Sequence, residues 1–107
     1  MDITPAFTAL ADPTRLAIVN RLAERGEADV MELVSDFTIS QPAVSRHVKI
    51  LEDTGWVTRR REGTRRPVRL APARLDEIIV WSGRLRARLQ ANYARLDDLL
   101  AEKDSPK

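Results

Sequence analysis

The chain has 107 residues, of which 43% are hydrophobic and 32% charged, and this balance indicates one globular domain rather than a disordered segment. Because it contains no cysteine, disulfides, thiolate metal sites and thiol redox sensing are excluded. No apolar run approaches the roughly 20 residues that span a bilayer, and the N-terminus lacks a signal-peptide pattern, so we expect a cytoplasmic protein without a membrane partner.

Proline and glycine positions predict four short helices in the first half of the chain. Each helix begins at a residue that can cap it, and two of the helices end at a glycine. The predicted helices run from Thr4 to about Leu10, from Asp12 to Gly26, from Asp29 through Phe37, and from Ser40 to Gly55. In the fourth helix, apolar residues at steps of four and three predict a buried face formed by Val44, Val48 and Leu51.

After Gly55 the apolar period changes from that of a helix to that of a strand. Residues 56–61 and 65–70 are typical of two strands joined by a glycine-bearing loop, which predicts a β-hairpin. Val57, Val68 and Leu70 are its predicted core-facing residues. Pro67 cannot donate a ladder hydrogen bond, so we expect the second strand to be an edge strand or to be bulged.

A long helix is predicted from about residue 73 to about residue 102, followed by a frayed tail at 103–107. Its length of about 45 Å exceeds the roughly 30 Å diameter of so small a domain, so one copy cannot cover its apolar stripe. The stripe therefore predicts a homodimer. It consists of Leu75, Ile78, Ile79, Ser82, Leu85, Leu89, Tyr93, Leu96 and Leu100.

The third and fourth helices flank a short turn at Thr38-Ile39, which predicts a helix-turn-helix. A hairpin directly after the fourth helix makes the fold a mainly α, or α/β, winged helix-turn-helix. Residues 1–102 would then form one DNA-binding domain with a C-terminal dimerisation helix. In this fold the second helix of the pair enters the major groove of double-stranded DNA.

The exposed face of the fourth helix has the side chains that such a role requires. Gln41 can pair with adenine, Ser45 with a base or phosphate, Arg46 with guanine or phosphate, and Lys49 with the backbone. Within this helix no acidic residue occurs before Glu52, and an acidic residue on this face would repel phosphate. The alternative is that Ser40 is only a cap and the rest a weakly charged surface. The predicted contact residues of this helix are Ser40, Gln41, Pro42, Ser45, Arg46 and Lys49.

The hairpin, or wing, carries six arginines and one glutamate, about five net positive charges. Arginine supplies fifteen of the 18 basic residues, which fits either phosphate contact or a GC-rich genome. Self-repulsion on one ribbon is costly without an anionic partner, so the position of these arginines favours contact with phosphate. A winged helix used only for protein interaction would instead predict an apolar or mixed face. The arginines are Arg59, Arg60, Arg61, Arg65, Arg66 and Arg69, and all but Arg69 are predicted DNA contacts.

Four segments within residues 9–70, ALADPTR, SQPAVSRHVKIL, TGWV and RREGTRRPVRL, resemble the arsenical-resistance repressor (ArsR) family of winged-helix transcription factors. The resemblance implies a homodimeric repressor that binds a palindromic operator and leaves it when an inducer binds. It also implies DNA contact by the residues named above and a dimer formed through the terminal helices. On the last helix, the implied interface residues are Leu85, Leu89, Tyr93 and Leu96.

The sequence departs from the metal-sensing members of that family. Those members carry two cysteines at the start of the third helix, where this chain has Asp29 and Met31. The last helix has no histidine, and its adjacent Asp76 and Glu77 diverge by about 100°. The only histidine, His47, is interpreted as a packing or phosphate-contacting residue. We therefore expect no metal and no cofactor.

An unidentified small-molecule effector is left open. Trp81 and Tyr93 can line a pocket for it or can pack in the core or the dimer, and packing is favoured. We expect no enzymatic activity, because Ser45 and His47 diverge by about 200° on one helix and cannot act as nucleophile and base.

Overall fold

A computed structural model describes residues 2–104, and its elements follow the predicted order with one additional strand. The chain divides after Leu75 into two compact units. The elements are α1 (Thr4–Leu10), α2 (Pro13–Arg25), β1 (Ala28–Asp29), α3 (Val30–Val34), α4 (Gln41–Asp53), β2 (Val57–Arg59), β3 (Pro67–Leu70) and α5 (Pro72–Asp104).

Most of the predicted helix boundaries are confirmed by hydrogen bonds. The Asp12 carboxylate accepts the backbone N–H groups of Thr14 and Arg15 at 2.8 and 3.0 Å, and the bond from Arg15 lowers the pKa of Asp12. Gly26 ends α2 with φ of 84°, a conformation that favours glycine. The cap predicted at Thr4 is wrong, because Thr4 is already the first residue of α1.

The core of the first unit is formed by one face of each short helix and by the sheet. In α4, Val44, Val48 and Leu51 are fully buried, as the apolar spacing predicted. The third helix is shorter than predicted: it ends at Val34, and Phe37 lies in the connection to α4. The turn of the helix-turn-helix therefore covers residues 35–40 rather than Thr38-Ile39 alone.

The wing belongs to a three-stranded antiparallel sheet with the order β1-β3-β2. Ala28 of β1 pairs with Val68 of β3, and Val57 of β2 pairs with Leu70. The prediction that the strand of Pro67 lies at an edge or is bulged is wrong, because β3 is the central strand. Pro67 is tolerated there because it is the first residue of the strand, and its carbonyl still accepts the N–H of Arg60 at 3.1 Å.

Two of the three predicted core-facing residues of the wing are buried. Val57 and Val68 are 2% and 0% exposed, whereas Leu70 is only half-buried. The sequence pattern did not single out Trp56, which is 2% exposed. Its indole N–H donates to the carbonyl of Ala6 at 2.8 Å, so this side chain joins the start of the wing to α1.

The second unit consists of the remainder of α5, which extends two residues beyond the predicted end at 102. Residues 105–107 of the predicted frayed tail lie outside the described residues. Large apolar side chains are exposed along this helix, including the four that were predicted to form a dimer interface. Within residues 2–104, no helix is long and apolar enough to cross a membrane.

Candidate nucleic-acid interface

One face of α4 is buried, and the residues predicted to contact DNA lie at the start of the helix and along its other face. Ser40 caps the helix, since its hydroxyl accepts the backbone N–H of Ala43 at 3.3 Å. The cap and the buried face fix the rotation of the helix about its own axis. The predicted contact residues are the exposed Ser40, Gln41, Pro42, Arg46 and Lys49, and the half-buried Ser45.

The two cations on this face differ in their surroundings. Among the described side chains, Arg46 makes no ion pair. The ammonium of Lys49 lies 3.1 Å from the carboxylate of Asp53 and 3.7 Å from that of Glu52. The hydrogen bond to Asp53 raises the pKa of Lys49. Arg46 can therefore approach an anion without first leaving a carboxylate.

A contact that the sequence did not reveal joins α4 to α2 and the end of α1. The Arg15 guanidinium donates through Nε to the carbonyl of Ala9 at 2.6 Å and through NH1 to Nδ1 of His47 at 3.2 Å. Because arginine only donates, Nδ1 of His47 is the acceptor of this hydrogen bond. His47 thus helps to hold α4 against α2, in agreement with the predicted packing role.

The arginines of the wing fall into two groups, and the first group is paired with carboxylates. Arg59 contacts Glu52 through two nitrogens at 2.8 and 3.2 Å. Arg60 contacts Glu27 in the same bidentate manner, at 2.8 and 3.2 Å, and Glu62 at 3.0 Å. These bonds lower the pKa values of Glu52 and Glu27. A longer contact of 3.7 Å joins Arg65 to Glu32.

The guanidinium groups of the second group make no direct ion pair with a described carboxylate, although the charges of Arg69 and Arg66 help to lower the pKa values of Glu27 and Asp29. This group comprises Arg61, Arg66 and Arg69. The Arg66 guanidinium donates to the carbonyls of Gly63 and Arg65, at 3.2 and 3.0 Å. The charge on the wing is therefore partly neutralised by the chain's own carboxylates, and the repulsion argument for phosphate applies chiefly to these three arginines.

Asp29 connects α3 to the wing. One carboxylate oxygen accepts the N–H of Met31 at 3.0 Å and caps α3, while the other accepts the N–H of Arg66 at 2.7 Å. Glu32 completes a capping box by accepting the N–H of Asp29 at 3.3 Å. The bond from Arg66 contributes most to lowering the pKa of Asp29. Both oxygens at this position are thus occupied by backbone donors.

No group of three described histidine, cysteine or acidic residues is close enough together to hold a metal ion. Met31 is 55% exposed and its backbone takes part in the α3 cap. In α5, the side chains predicted to form the dimer are about half exposed. They are Leu85, Leu89, Tyr93 and Leu96, with 45%, 47%, 57% and 54% exposed.

The sequence matches known regulators over most of its length. Residues 12–59 match the family model described as "Bacterial regulatory protein, arsR family". The chain is 44% identical over 93 residues to the HTH-type transcriptional regulator Rv2034 of Mycobacterium tuberculosis, a match that covers 87% of this chain and 86% of the relative.

The structure is similar to those of regulators with the same fold. The crystal structure of an ArsR family transcriptional regulator superimposes with a TM-score of 0.73 at 32% identity, covering 80% of this chain and 88% of that one. The solution structure of a homodimeric winged helix-turn-helix DNA-binding domain from Mycobacterium bovis gives a TM-score of 0.64 at 27% identity. The match covers 79% of this chain and 78% of that one. The chain therefore belongs to the ArsR family of bacterial transcriptional regulators.

Proposed function

We propose that this protein is a repressor that binds a palindromic operator as a homodimer, with α4 in the major groove of each half-site. The observation that carries the proposal is the polar face of α4. This face is uncharged at its start, includes Arg46, which makes no ion pair with any residue that the structure describes, and holds no carboxylate before Glu52. Anionic DNA can approach that face without meeting a carboxylate in the first three turns.

The contacts divide by chemistry. Gln41, at the exposed start of α4, can form two hydrogen bonds with adenine, and Arg46 can form two with guanine or one with phosphate. Ser45 can bond to either. Contacts from the wing are made to the phosphate backbone, which positions the protein without selecting sequence. Lys49 contributes a weaker backbone contact, because Asp53 and Glu52 compete for its ammonium.

A homodimer is favoured by the half-exposed leucines of α5 and by the homodimeric state of the similar M. bovis domain. A two-fold dimer presents two identical helices to the two halves of a palindrome. The protein acts in the cytoplasm, where DNA is accessible. It performs no catalysis: the imidazole of His47 is hydrogen-bonded to Arg15, and residues two apart on a helix, such as Ser45 and His47, point in nearly opposite directions.

An operator-binding experiment tests this division. Gln41→Ala should reduce affinity for the cognate site by about 1–3 kcal/mol and relax the preference at one base pair, with little effect on random DNA. Arg61→Ala should weaken binding to both DNAs and reduce the slope of log K against log salt by about 0.9. Fluorescence anisotropy over a salt series measures both quantities. Equal effects of the two substitutions on cognate and random DNA would contradict the assignment.

DNA binding should not respond to metal ions. Release by a metal requires a site whose binding free energy differs between the free and DNA-bound forms. The oxygens of Asp29 are occupied by the N–H groups of Met31 and Arg66, and the chain has no cysteine. Micromolar zinc, cadmium or arsenite, and a chelator, should therefore leave operator affinity within about twofold. A tenfold loss with zinc that the chelator reverses would reveal a metal site.

A further inference from the structure

The bidentate pair between Arg60 and Glu27 links two parts of the chain that are 33 residues apart in sequence. Glu27 precedes β1 and α3, whereas Arg60 directly follows β2 in the wing. A further carboxylate, Glu62, binds the same guanidinium at 3.0 Å. Three hydrogen bonds of Arg60 are therefore made to carboxylates before any DNA is present.

The segment of Glu27 is joined to the wing at other points as well. The ladder between β1 and β3 is only two residues long. The carboxylate of Asp29 extends this ladder by accepting the N–H of Arg66 at 2.7 Å. A short ladder and two carboxylates thus hold the wing to the segment from which α3 begins.

Transfer of the Arg60 guanidinium from Glu27 to a DNA phosphate would add little to the free energy of DNA binding. One anionic partner would replace another, and the freed carboxylates of Glu27 and Glu62 would remain close to the phosphate and repel it. The hydrogen bond to Arg60 lowers the pKa of Glu27, and a glutamate is ionised at neutral pH even at its ordinary pKa. By contrast, Arg61 makes no ion pair with a described carboxylate, and the Arg66 guanidinium makes no direct ion pair, although its charge helps to lower the pKa of Asp29.

We propose that Glu27 is a positioning residue for DNA binding: it holds Arg60 and thereby fixes the wing so that Arg61 and Arg66 make the phosphate contacts. The proposal rests on the DNA-binding function proposed above and assigns separate roles to adjacent arginines. Arg60 acts within the protein, and Arg61 acts on DNA. This differs from the expectation from sequence, in which both contact phosphate.

The first measurement is the salt dependence of operator affinity for Glu27→Gln, Arg60→Gln, the double variant and the matched control Arg61→Gln. Arg61→Gln should reduce the slope of log K against log salt by about 0.9, the value for one phosphate contact. Arg60→Gln and Glu27→Gln should each lower affinity by about two- to fivefold, the range for an exposed ion pair, and leave the slope nearly unchanged. The double variant should be no weaker than either single variant.

Two results of this measurement would overturn the proposal. A loss of about one unit of slope in Arg60→Gln would show that Arg60 itself contacts phosphate. Tighter binding with a steeper slope in Glu27→Gln would show that Glu27 competes with DNA for Arg60. The charge-reversed pair Glu27→Arg with Arg60→Glu provides a rescue test, since it should recover affinity relative to Glu27→Arg alone.

The second measurement is amide exchange in the full chain without DNA. Glu27→Gln should speed exchange of the Arg60 N–H, which donates to Pro67, by about two- to fivefold, and should leave the buried turns of α4 unchanged. Unchanged exchange at Arg60 would refute a positioning role for Glu27. This measurement needs no DNA, so it tests the role of Glu27 independently of operator binding. If the wild-type chain showed no operator preference, that result would refute the proposed function but not the role of Glu27 in holding the wing.

Discussion

Replacement of Leu89 by glutamate should convert the protein to monomers and reduce operator affinity by about 10²–10⁴-fold. Leu89 lies in the middle of the half-exposed stripe on α5, and in a dimer a carboxylate there would be buried against the partner's apolar residues without a counter-ion. A monomer binds one half-site only and loses the gain from a linked second site. Light scattering and anisotropy on the full operator measure the two effects.

A neighbouring substitution is the matched control. Gln90→Glu introduces the same carboxylate one position along, about 100° away from Leu89 around the helix axis. It should leave the dimer intact and change operator affinity only by the small effect of one added negative charge. A Leu89→Glu protein that remained dimeric would show that the subunits associate through another surface.

Replacement of Leu51 by alanine should reduce the free energy of unfolding by about 2–5 kcal/mol. Leu51 lies in the last turns of α4 and is fully buried. Deleting most of its side chain removes apolar contacts and leaves a cavity, since close-packed neighbours relax only partly. Urea denaturation of the dimer at fixed protein concentration measures the loss.

The preceding residue provides the comparison. Ile50 is 38% exposed, so Ile50→Ala removes a similar number of atoms from a site that is partly in water. Its cost should be about 1 kcal/mol or less. If the two substitutions destabilised the protein equally, the orientation of α4 would have to differ from the one described, and with it the exposure of Gln41 and Arg46.

The parts of the fold that could be predicted from the sequence depend on local interactions. Asp12 and Ser40 bond to backbone N–H groups two or three residues away, so these two caps follow from local sequence, although the same pattern at Thr4 failed. The buried face of α4 follows from the helical period alone. The candidate contact face was predictable for the same reason, since it consists of the residues of α4 that the helical period leaves outside the buried face.

The features that were missed depend on pairs distant in sequence. The prediction for Pro67 failed because β1 has only two residues, too few to give a strand pattern, yet it pairs with β3 and makes that strand central. Arg15 and His47 are 32 residues apart, and no periodicity brings them together. The pairing of Arg60 with Glu27 could not be predicted either, because the two residues are 33 apart in sequence. The net charge of the wing therefore did not reveal which arginines are already paired within the protein.

The central position of β3 also affects how the protein avoids self-association through its sheet. A sheet edge with unpaired N–H and C=O groups can recruit a strand from another molecule, and long, flat, apolar edges are the most hazardous. Here the longest strand lies inside, and the two edges are strands of two and three residues. The outer edge of β2 carries Thr58 and Arg59, and charge there disfavours pairing. Copies of the chain can therefore be concentrated on a promoter without offering each other a strand edge long enough for aggregation.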